Sequence, residues 1–172
     1  MTTIIHEPIY GDIIISDIAR KIIDHPYFYR CQHIYQTGNA YKVFPSATHT
    51  RHVHMIGTYA ITHKLLAKLQ QFTNIDEEIK ELIAIGALCH DIGHGPGSHA
   101  FDKHVIQHFI DKNIIDHTHP WITHEQRSIA MMRKIGNDIG LTKNQIDFIS
   151  QVIDPDDSNK NKWMFSIVNN KK

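Results

Sequence analysis

The sequence predicts an almost all-helical bundle, all-α with at most a minor short β element. Three observations carry that expectation. Apolar residues recur at helical spacing in residues 48–71 and 76–87. Capping residues stand at three candidate helix starts, and prolines and glycines fall between the periodic segments.

Element by element, Ser16-Asp17 caps a short helix that runs to about Asp24. His25-Pro26 breaks it, because the residue before proline avoids the helical region. A second helix is expected from about Pro26 to Gly38, a good residue just past a helix end. Tyr41 to Phe44 reads as a short extended stretch able to pair as a small strand. A long helix spans about Thr48 to Gln71, with Val53, Ile56, Ala60, Leu65, Leu66 and Leu69 on its apolar face. The next begins near Asp76. Ile79, Leu82, Ile83, Gly86 and Ala87 make it so apolar that it must be central, and it stops at Gly93-His94-Gly95-Pro96-Gly97. Thr123 with Gln126, and Thr142 with Gln145, fit the capping box, which predicts helices over about 123–136 and 142–153. Asp154 to Asn159 is a polar loop, and Trp163 to Val168 starts one more helix.

The 172 residues suit a single domain, 1–172, and 41% apolar residues suffice for one core. Eighteen basic against 18 acidic side chains give no field that favours nucleic acid or membrane. The unusual number is 15 His, the side chain that both ligates metals and titrates near neutrality. Cys31 and Cys89 lie too far apart for a metal knuckle and read as buried thiols in a reducing compartment. No apolar run approaches the ~20 residues of a membrane span. The start, Met1 to Pro8, lacks the features of a signal peptide. The expected location is intracellular, in the cytoplasm or, by diffusion, the nucleus.

The chemistry concentrates in three places. In Cys89-His90-Asp91-Ile92-Gly93-His94-Gly95, adjacent His and Asp point about 100° apart on a regular helix, but a helix end opening into glycines lets them converge. Imidazole and carboxylate together suit a dication such as Fe, Mn, Co, Ni or Zn. The bland reading of the dipeptide alone is a His–Asp hydrogen bond with glycines as a C-cap. In Thr48 to His54, Arg51 and His54 share a helix face, as a metal-bound phosphate would need. The alternative is a wet face with scattered His, and His52 is expected to point into solvent. Third, His94, His99, Asp102 and His124-Glu125 could ring one pocket as proton donors and acceptors. His104, His108, His117 and His119 read as surface residues.

Taken in order, these blocks resemble the HD-domain phosphohydrolases, and within them the deoxynucleotide triphosphohydrolase branch. The resemblance runs from about Ile5 to Val168. It includes His6 to Gly11, Ile22-Ile23-Asp24, Gln36, Val43-Phe44-Pro45, His49 to His54, Gly86 to Pro96, Ser98 to Asp102 and Trp121 to Gln126. It implies an HD-domain helical bundle, with His54, His90 and Asp91 as metal ligands and Arg51 and His94 on the α-phosphate. His99, Asp102 and His124 would supply hydrogen bonds and proton transfer, and Gln36 would touch the sugar. The implied reaction is attack of a metal-activated water on the α-phosphorus of a dNTP, giving a deoxynucleoside and triphosphate, with Mg joining the substrate. A His near pKa ~6.5 would protonate the departing oxygen.

The chain departs from that family's pattern at Arg30-Cys31-Gln32, at Thr37 beside Gln36, and at Gly97 in the glycine turn. These departures leave the metal ligands alone and bear on substrate fit. In the family a segment resembling Ile167 to Lys172 precedes Asp-rich sequence with a fourth metal ligand, so the expectation is a domain cut before it. Asp154, Asp156 and Asp157 come too early for that role. Apolar surface around Trp163, Met164 and Phe165 would then be left uncovered, favouring a homo-oligomer or a docked partner. The rival readings are a degenerate domain that binds nucleotide or a protein without turnover, and a phosphatase or phosphodiesterase acting on a nucleoside monophosphate or cyclic nucleotide. A nucleic-acid module fits least.

Overall fold

The computed structural model describes residues 3–156, 158–159 and 162–169. Asp157 therefore lies outside the described residues. The chain opens with an antiparallel hairpin, β1 (Thr3–Glu7) and β2 (Gly11–Ile15), in register from Thr3 opposite Ile15 to Glu7 opposite Gly11. The Glu7 carboxylate accepts the Ile9 and Tyr10 N–H groups and closes the turn. Ile13 and Ile15 alternate into the core, as the two-residue period of a strand requires. Among the described residues this is the one sheet, and it sits where the sequence reading placed no element.

Helix α1 (Asp17–Ile23) starts where Ser16 accepts the Ala19 N–H at 3.0 Å. Helix α2 (Pro26–Tyr29) passes into a 3₁₀ turn, Arg30–His33, and ends well short of Gly38. A tertiary pull overrides the helical expectation. Ile34 is extended, its carbonyl accepts the Arg51 N–H at 2.8 Å, and Gln36 N–H donates to His49 at 3.0 Å. Tyr41 to Phe44 is not a strand either. Ala40–Lys42 is a 3₁₀ turn, and the Tyr41 ring packs on Tyr35.

The centre is a pair of long helices, α3 (Arg51–Leu69, capped by Thr50) and α4 (Glu77–Cys89, capped by Asp76). On α3 the core stripe is Met55, Tyr59, Thr62 and Leu66, while Val53 and Leu65, expected on that face, are 36% and 39% exposed. Residues 82–89 of α4 are buried throughout, as its composition predicts. A π-helical turn, Phe101–Ile106, runs into α5 (Gln107–Asp111), a stretch the sequence reading left without a helix. Helices α6 (His124–Ile139) and α7 (Lys143–Ile153) both begin with complete capping boxes. Helix α8 (Trp163–Ser166) closes the described chain. Phe165 is buried against Phe148, so the apolar surface expected to lie open there is partly covered, although Trp163 stays 43% exposed. No helix among the described residues is long and apolar enough to cross a membrane.

Candidate metal and phosphate site

The site forms where the start of α3 meets the end of α4. Helix α4 ends at Cys89, four residues before the first glycine, and residues 90–93 continue as turns. Ser128 of α6 holds this opening. Its hydroxyl accepts the Gly93 N–H at 2.9 Å and donates to the His90 carbonyl at 2.8 Å. Gly93 has to be glycine, since a Cβ there would collide with the His124 carbonyl oxygen and the Ser128 nitrogen.

The opened helix end brings His90 and Asp91 to His54. His54 Nε2 lies 3.3 Å from His90 Nε2 and 3.4 Å from Asp91 Oδ2, and His90 Nε2 lies 3.3 Å from that same oxygen. Metal–ligand bonds of about 2.0–2.2 Å in tetrahedral geometry put ligand atoms roughly 3.3–3.6 Å apart, so the triangle fits a first-row dication. The His90 tautomer fits too. Its Nδ1 is 2.7 Å from the Ala87 carbonyl oxygen, which can only accept, so the hydrogen sits on Nδ1 and the Nε2 lone pair faces the triangle. Burial alone would raise the Asp91 carboxyl, but the His54, His90 and His94 rings that face it hold it well below the usual carboxylate range. Burial works against a charged His90, and Asp91 more than offsets it, raising the ring.

Arg51 is almost fully buried beside this triangle, with its guanidinium on Asp91 and on Ser98, 2.8 Å from Nε to Oγ. Burial lowers its pKa against the opposing pull of Asp91. Ser98, at φ 63°, also donates to the Gln36 carbonyl at 3.0 Å. The side-chain Oε1 of Gln36 is buried without a partner. His52, expected in solvent, is half-buried with its ring edge-on to Phe28, and burial lowers it.

Beyond Asp91 stands a second group. His94 is fully buried, its ring stacked on His124 at 3.9 Å and edge-on to His99 at 4.8 Å. Neither ring nitrogen has a hydrogen-bond partner, and burial pushes the ring down to about 4. This ring is therefore neutral at pH 7, below the ordinary His range assumed for a proton donor. His124 Nδ1 lies 3.2 Å from Asp102 Oδ2, and burial lowers this ring too, against the carboxylates of Glu125, Asp91 and Asp102. The structure thus assembles His54, His90 and Asp91 into one set and His94, His99, Asp102 and His124 into another, with Arg51 on Asp91. Among the described residues neither Asp154 nor Asp156 joins either set.

The sequence reading assigns no role to three residues that hold these sets in place. Arg127, buried in the first turn of α6, pairs with Asp102 and donates to the carbonyls of Gly93, Trp121 and Ile122. Arg30 donates to the carbonyls of Ile92 and His94. Ser128 clamps the helix end. The one available signal was an arginine on the same helix face as His124, three positions on.

Residues 51–161 match the HD domain family, and the chain belongs to it. A putative HD domain-containing protein, L394, of Acanthamoeba polyphaga mimivirus is 38% identical over 94% of this chain and 37% of its own length. The deoxynucleoside triphosphate triphosphohydrolases SAMHD1 of Bos taurus and Homo sapiens are 37% and 36% identical. Each matches 80% of this chain, and the match takes in 23% and 21% of their own lengths. The chain thus spans well under half the length of these relatives.

Proposed function

We propose that this chain is a metal-dependent phosphohydrolase domain that cleaves deoxynucleoside triphosphates to deoxynucleoside and inorganic triphosphate. The observation that carries this reading is the convergence of three possible ligand atoms at 3.3–3.4 Å beside a buried arginine and a second histidine set that includes the unpaired His94. The relatives named as deoxynucleoside triphosphate triphosphohydrolases support the choice of substrate.

His54, His90 and Asp91 would hold the dication, Fe, Mn, Co, Ni or Zn, with Mg accompanying the triphosphate. A bound dication supplies an acidified water and neutralises phosphate charge. Arg51 would face the α-phosphate and stabilise the charge that builds there. His94 is neutral and would accept or orient, leaving proton delivery to His124, which Asp102 aligns through Nδ1, and to His99. Gln36 would offer its free Oε1 to the sugar. In the step itself the water oxygen joins the α-phosphorus, the P–O5′ bond breaks and a proton passes to O5′.

The test is turnover of dATP, dGTP, dCTP and dTTP with Mn²⁺ or Mg²⁺, read as released triphosphate. His124→Ala and Arg51→Ala should each lower kcat by about 10²–10⁴-fold with metal content retained. With three protein ligands among the described residues, turnover by the 172-residue polypeptide is expected to be slow, since small misplacements cost on the order of 10²-fold. That same count favours one second reading, a domain that binds nucleotide without hydrolysing it. Nucleotide binding with no triphosphate released under any metal would replace the first reading with the second.

A further inference from the structure

His94, His99, Asp102 and His124 have been treated so far as proton handlers, yet their arrangement meets a stricter description. One nitrogen from each imidazole and one Asp102 oxygen all lie within 4.8 Å of one another. Three nitrogens and one carboxylate oxygen form a four-donor set of the kind that holds zinc. Closing a separation of up to 4.8 Å to the roughly 3.4 Å of a tetrahedral edge asks at most about 0.7 Å of each partner. His99 has that freedom, since it is exposed and its contacts here are ring edges. Asp102 is already oriented by Arg127, an arrangement typical of ligating carboxylates.

A second observation points the same way. Both ring nitrogens of the fully buried His94 lack a hydrogen-bond partner. A buried polar atom left unpaired costs free energy, and one nitrogen of this ring is available to a ligand of the four-residue set. The carboxylate of Asp91 divides between the two sets. Its Oδ2 faces His54 and His90, and its Oδ1 lies 3.4 Å from His94 Nε2.

We propose that His94, His99, Asp102 and His124 form a second dication site, selective for zinc or cobalt and distinct from the triad, with Asp91 shared between the two. With three imidazoles, the set favours borderline metals over Mg²⁺ or Ca²⁺. It offers four protein ligands where the triad offers three, so it loads at least as tightly. This assignment does not depend on hydrolysis. One consequence does rest on the hydrolase reading: filling this site ties up the proton-handling nitrogens, so excess zinc inhibits.

The experiment is a titration of the metal-free 172-residue chain with Co²⁺. It is read by elemental analysis after desalting and by the visible d–d bands of tetrahedral cobalt. The unaltered chain is expected to take up two Co²⁺, and His54→Ala and His99→Ala one each. Circular dichroism verifies the fold, and His99→Gln replaces His99→Ala if that variant unfolds. An unaltered chain that saturates at one Co²⁺, a His99 variant that still binds two, or a His54→Ala chain that binds none would overturn the proposal. Two bound cobalt ions without triphosphate release would leave this site standing and remove the hydrolase reading. One bound ion with brisk turnover would do the reverse.

Discussion

The same two helices carry a histidine–carboxylate cluster at each end, and the two clusters behave differently. At one end His54 of α3 meets His90 and Asp91 at the close of α4. At the other, His63 of α3 stands 3.4 Å from Glu81 of α4, whose other oxygen accepts Ser16 Oγ at 2.5 Å and Tyr59 OH at 3.5 Å. In the far cluster Ser16 and Tyr59 donate to the carboxylate, so the group is a structural joint tying the hairpin and α1 to the helix pair. In the near cluster His54 Nε2, His90 Nε2 and Asp91 Oδ2 converge within 3.4 Å of one another, with Arg51 also on Asp91. The lesson is that residue type and helix spacing do not separate a site from a joint. What separates them is how many ligand atoms converge, three in the near cluster against one His–carboxylate pair in the far one.

The sharpest way to break this contrast is to remove one histidine from each end. In a His99→Ala background, so that only the triad is read, His90→Ala should abolish bound Mn²⁺ or Fe²⁺ by elemental analysis. His63→Ala should leave metal content unchanged. Equal loss in both would show that the triad has no special standing.

Charge gives the next largest difference. Arg51 and Asp91 form a buried ion pair, and removing one member of such a pair typically costs about 3–5 kcal/mol because the other charge is stranded. Arg51→Met should therefore lose that much stability in the metal-free chain, measured by urea unfolding. Saturating Mn²⁺ should recover much of it, because a cation in the triad stands next to the stranded carboxylate. A loss unaffected by Mn²⁺ would place the metal elsewhere.

How much of this was legible beforehand follows the same line between local and tertiary cause. The helices whose starts carry their own caps, at Ser16, Asp76, Thr123 and Thr142, fall where the sequence puts them, because each cap is satisfied within one turn. Residues 26–44 were misread because partners distant in sequence decide them, the pairing of Ile34 and Gln36 with the start of α3 above all. The hairpin was missed although Ile4-Ile5 and Ile13 to Ile15 are β-branched runs. The site residues were named from motifs and resemblance, and the structure brings them together in two sets. Their braces, Arg127, Arg30 and Ser128, were given no role, since each acts on backbone carbonyls or amides that no side-chain pattern reveals.

The near end is also fixed by backbone contact, whereas the far end is held by side chains. Gly93→Ala should cost about 1–3 kcal/mol, the usual penalty for overpacking, because the atoms its Cβ meets are backbone of α6. It should also displace His124, lowering kcat and stability together. A stability loss with kcat unchanged would separate the position of α6 from the chemistry.

The smallest effect belongs to the joint. Burial alone would raise the Glu81 carboxyl, but His63, Ser16 and Tyr59 together hold it below its ordinary value. A carboxylate depressed in the folded state contributes stability in full above its unfolded value, about 4.3, and loses it as pH falls through the lower folded one. Glu81→Gln keeps the shape and an acceptor oxygen but removes the charge. It should be less stable than the unaltered chain by roughly 1 kcal/mol at pH 7, the worth of a typical hydrogen bond. The two urea midpoints should converge as the pH falls below about 4, and the two proteins should carry the same metal content at pH 7. A gap as wide at pH 3 as at pH 7 would show that Glu81 acts through packing, and the contrast between a charged joint and a metal site on one helix pair would lose its electrostatic half.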